Sequence, residues 1–289
     1  MATMDKTFTL PPLFISHGSP MTAIEPREAG AFMQRLGPAI DASFGRPKAV
    51  LAISAHSLAP GSLDGPVLLA AERHEAVYDF GGFADALYTL RYDAPGAPAL
   101  AQDVAALLRD AGCPVHSVDQ GGLDHGIWTP LRYMYPAANI PVLPLAWPAH
   151  WSPEKLLELG HALAPLAGRG VLVMGTGSLT HNLRRVFASG LHPQADAPPS
   201  RESTAFRDWF AERGAAADWP ALAAYRSRAP HAVLMHPTDE HLLPYFVAAG
   251  AAGESPRATR LHDSLVFGEL AMDAFAFGPA APRLATALH

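Results

Sequence analysis

The stretch "SPEKLLELGHALAPLAGRGVLVMGTGSLTH", residues 152–181, decides the fold. Its first part carries apolar residues at helical spacing, with Ser152 placed as N-cap, Pro153 in the first turn and a glycine at the far end. That predicts a helix over 152–170. The second part, "GVLVMGTG" (170–177), is a short continuous apolar run and predicts a buried strand. The same alternation recurs along the chain. "KAVLAISAH" (48–56), "CPVHSV" (113–118) and "IPVLPLAW" (140–147) read as further buried strands, as does Leu13 to Ile15, and "PALAQDVAALLRDAG" (98–112) reads as a helix. Strands with apolar residues on both faces, alternating with helices, define an α/β fold with a central, mostly parallel sheet flanked by helices. The active site of such a sheet is expected at the carboxyl ends of its strands.

Toward the C-terminus, "RESTAFRDWFAERG" (201–214) predicts a helix, and a shorter one follows around Trp219 to Ala224. "HPTDEHLLPYFVAAGAAG" (236–253) reads as helical with Thr238 as N-cap, and "SLVFGELAMDAFAFG" (264–278) as a hairpin turning near Gly268-Glu269. The stretch 188–200 reads as a loop, and no internal repeat is visible. The expectation is one catalytic domain over 1–289, with an ordered core of about 11–280.

Composition narrows the function. Of the 289 residues, 49% are hydrophobic and 17% charged, enough for one large core. A net charge of −6 without clustered Lys or Arg excludes a nucleic-acid partner. Cys113 is the single cysteine, which rules out an internal disulfide and any cysteine-based metal cluster. No signal-peptide pattern or apolar stretch of membrane-spanning length is present, so the expectation is a cytoplasmic protein without a membrane partner. Nothing in the sequence fixes an oligomeric state.

The histidines are the informative residues; there are 14. His17 ends the run "LFISH", His56 follows "AISA" and His181 follows "GVLVMGTGSLT", each just past a predicted strand. His241, in "PTDEH", falls in the predicted first turn of a helix. Neutral imidazoles are the usual ligands of zinc and iron(II), and these positions converge if the strands share one edge. Gly18 allows a sharp turn after His17, and Ser54, Ala55 and Ser57 leave room around His56. Successive helical residues point about 100° apart, so either His241 or Glu240 completes the set. His181 suits acid/base work because the ordinary imidazole pKa is near working pH. The turn that carries it also offers free backbone N–H groups that can steady an anion. His125, in "LDHG", is a candidate hydrogen-bond donor to the substrate or to oxygen.

The other histidines carry less. His74 and His150 fall in loops that can border the pocket, while His116, His161, His192, His231, His236, His262 and His289 read as structural or exposed. His236 lies five residues from His241 with Pro237 between them, a poor spacing for one helical face, and is rejected as a ligand.

Six blocks in order carry a family resemblance: "FISHGSP", "AISAHS", "DFGGFADALYTLRYDAPG", "GGLDHGIWTPLRYMYP", "GTGSLTHNLR" and "HPTDEHLLPYFVAAGAAG". Together they resemble the DODA-type class III extradiol ring-cleavage dioxygenases of the LigB superfamily, from about residue 11 to the C-terminus. The resemblance implies a single-domain α/β fold holding a mononuclear non-haem iron(II), with zinc occupying the site in some members. It implies His17, His56 and His241 as ligands. It also implies His181 as the acid/base, close enough to serve as a further ligand. The partners implied are a small catecholic substrate and O₂. One departure is Ser57, where many relatives have tryptophan; it alters the expected pocket wall and makes Ser57, with His125, a candidate substrate contact.

Three other readings use the same residues. A zinc-dependent hydrolase would activate water at the histidine cluster, with Glu240 or His181 as base. A serine hydrolase would pair Ser178 with His181, although the G-x-S-x-G elbow is absent. A non-catalytic metal-binding protein would leave the cluster idle.

Overall fold

The computed structural model describes residues 9–188, 190, 193–254 and 256–289. His192 and part of the 188–200 loop therefore lie outside the described residues. Among the described residues, eight strands form one sheet: β1 (Leu13–Ser16), β2 (Ala49–Ser54), β3 (Val67–Leu69), β4 (His116–Val118), β5 (Val142–Ala146), β6 (Val171–Gly177), β7 (Ala258–His262) and β8 (Ala274–Phe277). Their order is β4-β3-β5-β2-β6-β1-β8-β7. The central strands β5, β2, β6 and β1 run parallel, so their carboxyl ends meet at one edge. β3 pairs antiparallel with β5, and β8 pairs antiparallel with both β1 and β7.

Every residue of β1, β2, β5 and β6 is buried, and successive side chains feed opposite layers. Leu51 and Ile53 of β2 point into one core with α2 (Pro98–Asp110), α4 (Pro153–Leu163) and α6 (Pro244–Gly250), joined by α5 (Arg201–Ala215). Val50 and Ala52 point into the other, with α1 (Arg27–Phe44), α3 (His125–Met134) and α7 (Ala281–Leu288). The expected α/β architecture is therefore present in one domain. No helix among the described residues is long and apolar enough to cross a membrane.

Several element boundaries move. Ser152 caps α4 as expected, its Oγ accepting the Lys155 N–H at 3.3 Å. The helix nevertheless ends at Leu163 and continues as a tighter turn over Ala164–Arg169, where Pro165 supplies no N–H donor. The strand expected over 113–118 pairs only from His116 onward. The largest revision concerns 236–253: only Pro244–Gly250 is helical, and Thr238 is not its cap but donates to Glu240 Oε1 at 3.0 Å. The main chain here serves a different purpose, because the His241 carbonyl accepts the Ser178 N–H at 2.8 Å just past β6. The hairpin does form between Leu265–Val266 and Leu270–Ala271, with Phe267 and Gly268 at positive φ, and β8 then joins the main sheet. α1, α3, α7, β3 and β7 have no counterpart in the elements read from sequence.

Candidate active site

Three of the histidines leave the carboxyl ends of adjacent central strands: His17 after β1, His56 after β2 and His181 after β6. His17 is fixed by its own N–H, which donates to the Gly177 carbonyl at 3.0 Å. His241 comes from the turn before α6, not from a helical first turn, and Gly177 makes its approach possible. A Cβ on Gly177 would lie 2.0 Å from the His241 carbonyl oxygen, so any larger residue would push that turn away from the strand. His125 is the first residue of α3, and its ring centre lies 4.2 Å from that of His56 and 5.2 Å from that of His17.

One ring nitrogen from each of His17, His56 and His241 lies within 4.8 Å of the other two. Two of these rings are also hydrogen-bonded from behind, and a carboxylate stands near the third. Thr176 spends its hydroxyl proton on the Gly126 carbonyl at 2.8 Å, so its oxygen accepts from His17 Nδ1 at 2.9 Å. The Glu240 carboxylate accepts from His241 Nδ1 at 3.1 Å, and Asp79 Oδ2 lies 3.3 Å from His56 Nδ1. His17 Nδ1 donates to Thr176, so its Nε2 accepts, and His56 Nε2–H donates to it at 3.2 Å. A divalent cation that replaces this shared proton would take both nitrogens. Two imidazoles bound about 2.0–2.1 Å from one ion would sit roughly 3.0–3.4 Å apart, so the donor set fits a divalent metal. Glu240 thus stands behind His241 as its hydrogen-bond acceptor.

The electrostatics favour neutral rings. Burial, reinforced by the other imidazoles, holds His17 well below its usual range, lowers His56 to about 3 and lowers His181 to about 2. His181 is therefore far from the near-neutral value expected for it, because it is desolvated and lies parallel to His241 with ring centres 3.5 Å apart. Burial alone would raise Glu240, but its hydrogen bond from His241 and backbone contacts bring it to about 2. A pH dependence follows. The unfolded chain takes protons on these imidazoles below pH 6.5, whereas the folded chain resists until far more acid conditions. Their contribution to stability is complete above that value and is lost as pH falls toward 3. Thermal unfolding of the metal-free protein should show its midpoint dropping steadily between pH 7 and 4; a flat profile would mean the rings are solvated.

Two carboxylates that sequence reasoning did not single out organise the surroundings. Asp79 accepts from the His125 backbone N–H at 2.9 Å and from its Nδ1 at 3.0 Å. Burial pushes the Asp79 carboxyl up, but the His125 hydrogen bonds outweigh it and the carboxyl titrates below its usual value. Buried Asp124 accepts from Ser54 Oγ at 2.7 Å and Ser57 Oγ at 2.6 Å. The Ser57 hydroxyl is thus directed to Asp124, and what Ser57 offers a pocket is its small size. Both aspartates lie inside blocks that carried the family resemblance ("DFGGF" and "LDHG"), so their place was marked even though their roles were not.

Other candidates have structural occupations. Ser178 Oγ is buried against the carbonyls of Thr180 and Ala271 at 2.8 and 2.9 Å, which removes it as a nucleophile. His236 is fully buried and donates from Nε2 to the Leu179 carbonyl at 2.8 Å, consistent with its rejection as a ligand. His74 is buried on a short strand, not in a loop, and His150 is exposed.

This sheet and histidine cluster have known relatives. The chain matches, over residues 11–275, the family described as the catalytic LigB subunit of aromatic ring-opening dioxygenase. It is 36% identical over 271 residues to a 4,5-DOPA dioxygenase extradiol of Beta vulgaris, covering 91% of this chain and 95% of that one. A protein of the same description from Escherichia coli (strain K12) is 34% identical over 272 residues, covering 91% and 93%. The crystal structure of the uncharacterized protein JW3007 from Escherichia coli K12 superposes with a TM-score of 0.73 at 28% identity, covering 92% of this chain and 99% of that one. The chain belongs to the LigB family, and its activity class is that of a metal-dependent extradiol dioxygenase acting on a small aromatic substrate with O₂.

Proposed function

We propose that the enzyme opens the ring of a catechol at an iron(II) held by His17, His56 and His241, with zinc able to occupy the same nitrogens. The observation that carries this reading is the gathering of one nitrogen from each of the three rings within 4.8 Å of the others, with Nδ1 of His17 and of His241 tied back to Thr176 and Glu240. Iron(II), when bound, supplies a redox-active centre at which a catecholate and O₂ can react. The chain's own residues do the rest. His181, stacked on His241 at the edge of the cluster, takes a catechol hydroxyl proton and returns it as the ring opens. His125, with Nδ1 committed to Asp79, has Nε2 free to hydrogen-bond the substrate. Ser57 contributes a small wall residue beside His56. The relatives' names make 4,5-DOPA the first catechol to test. A cytoplasmic setting belongs to the same reading, supported by the lone buried thiol of Cys113.

The test is an anaerobically iron-loaded sample offered a panel of catechols, followed by oxygen uptake and by the colour of the ring-opened product. Absence of uptake with every catechol would sink the proposal. Within it, His181→Ala should keep most of the iron while ring opening falls by roughly 10²–10⁴-fold, the usual span for a general acid/base. Parallel loss of metal and activity would instead make His181 chiefly a ligand.

A further inference from the structure

On its outer side His125 meets a bank of aromatic rings. Phe80 stands edge-on to the His125 ring with centres 5.5 Å apart. Phe83 and Tyr88 pack on Phe80 at 5.6 and 5.4 Å, and Tyr78 and Trp128 lie 6.2 and 6.4 Å from it. Trp128 is fully buried, whereas Tyr78, Phe80, Phe83 and Tyr88 each keep part of their surface in solvent. The bank is held at both ends. Trp128 Nε1 donates to the Val77 carbonyl at 3.1 Å, and the Tyr78 hydroxyl donates to the Leu90 carbonyl at 2.5 Å. Between Phe80 and Phe83, a Cβ on Gly81 or Gly82 would meet nothing within 4 Å, so the chain there borders open space.

Core packing accounts for Trp128 but not for four rings left half-exposed side by side. A contiguous apolar surface that begins at a polar cluster is the usual make-up of a small-molecule site. Its charge is also one-sided. Residues 76–90 contain no lysine or arginine, and Asp79 and Asp85 are their only charged residues. An anionic substituent lying here would meet carboxylates and no cation, whereas a flat apolar one would find ring faces and edges.

We propose that Phe80, with Phe83 and Tyr88 beside it, determines substrate specificity by receiving an apolar or aromatic substituent on the catechol ring. The surface starts at His125, whose free nitrogen contacts the bound catechol, so a substituent pointing away from the metal runs onto Phe80. This inference rests on the catechol reading of the site and narrows it to one class of catechol.

The experiment is calorimetric titration of the zinc-loaded protein with 4-methylcatechol, 4-phenylcatechol and dihydroxyphenylacetate. The phenyl compound should bind roughly tenfold or more tightly than the methyl compound, since an aromatic pair adds about 2–12-fold beyond the area it buries. Dihydroxyphenylacetate should bind no more tightly than 4-methylcatechol. In Phe80→Ala, with zinc content checked by elemental analysis, the phenyl-to-methyl ratio should fall to about threefold or less. Phe80→Tyr keeps the ring and should keep the ratio. A wild-type ratio near one, or tightest binding by the anion, overturns the proposal whatever the variants do. So does a Phe80→Ala protein that retains both its zinc and the full ratio. Should Phe80→Ala lose zinc, Phe83→Ala, one ring further from His125, has to lower the ratio; an undiminished ratio there also overturns it. If catechols bind without discrimination, the role of Phe80 fails and the catechol reading stands. If no catechol binds the zinc form and the ferrous form opens none, the catechol reading fails and takes this inference with it.

Discussion

Replacing His17, His56 or His241 by alanine is expected to abolish stoichiometric metal binding and bring ring opening down to background. The fold should survive. Each ring contributes one nitrogen to a cluster beyond the strand ends, and the two hydrophobic layers contain none of them. A site of three imidazoles loses a third of its donors with each change, and the two that remain cannot hold a divalent ion against water. His17→Ala carries an additional structural cost, because that side chain is fully buried against Thr176. Metal content by elemental analysis, with circular dichroism as the control for folding, decides the matter. Glu240→Ala separates the neighbours: since Glu240 stands behind His241, its loss should weaken metal binding without abolishing it. If Glu240→Ala empties the site and His241→Ala does not, the third ligand is the carboxylate.

The second large effect concerns which metal supports turnover. Extradiol cleavage adds both atoms of O₂ to the ring, so electrons must pass between catecholate and oxygen. Iron(II) permits that transfer; zinc, with a filled d shell, does not. The ferrous protein should consume one O₂ per ring opened. The zinc-loaded protein should bind catechols, seen as a rise in unfolding temperature, and leave them intact. This comparison also separates the dioxygenase from the hydrolase that the same histidines could build. If the zinc form cleaves an ester or amide under nitrogen while the ferrous form opens no catechol, the cluster is still the active site but its chemistry is hydrolytic.

Much of this was legible in the order of residues. Apolar runs such as "VLAIS" and "VLVMG" can only be buried strands, and a histidine following each one places chemistry at a common sheet edge. That inference needs nothing but strand period and the direction of parallel strands. The six ordered blocks added the family. The sequence could not show where the chain between Pro237 and Pro244 would go. Local spacing favours a helix there, and tertiary hydrogen bonding overrides it: the His241 carbonyl is taken by the Ser178 N–H, and Gly177 leaves the space for that contact. The placement of His241 and Glu240 depends on that backbone path and so could not be read from a helical period. The partners of the rings were equally hidden. Asp79 and Thr176 lie 46 and 159 positions from the histidines they serve. Hydrogen bonds across such separations leave no periodic trace. The pKa of His181 was misjudged for the same reason, since its value is set by burial against His241 and not by anything beside it in the chain. Residue types and strand order thus determined that histidines would gather at the edge of a parallel sheet. Only the folded chain decided how His17 and His125 are oriented, because that depends on acceptors brought from distant segments.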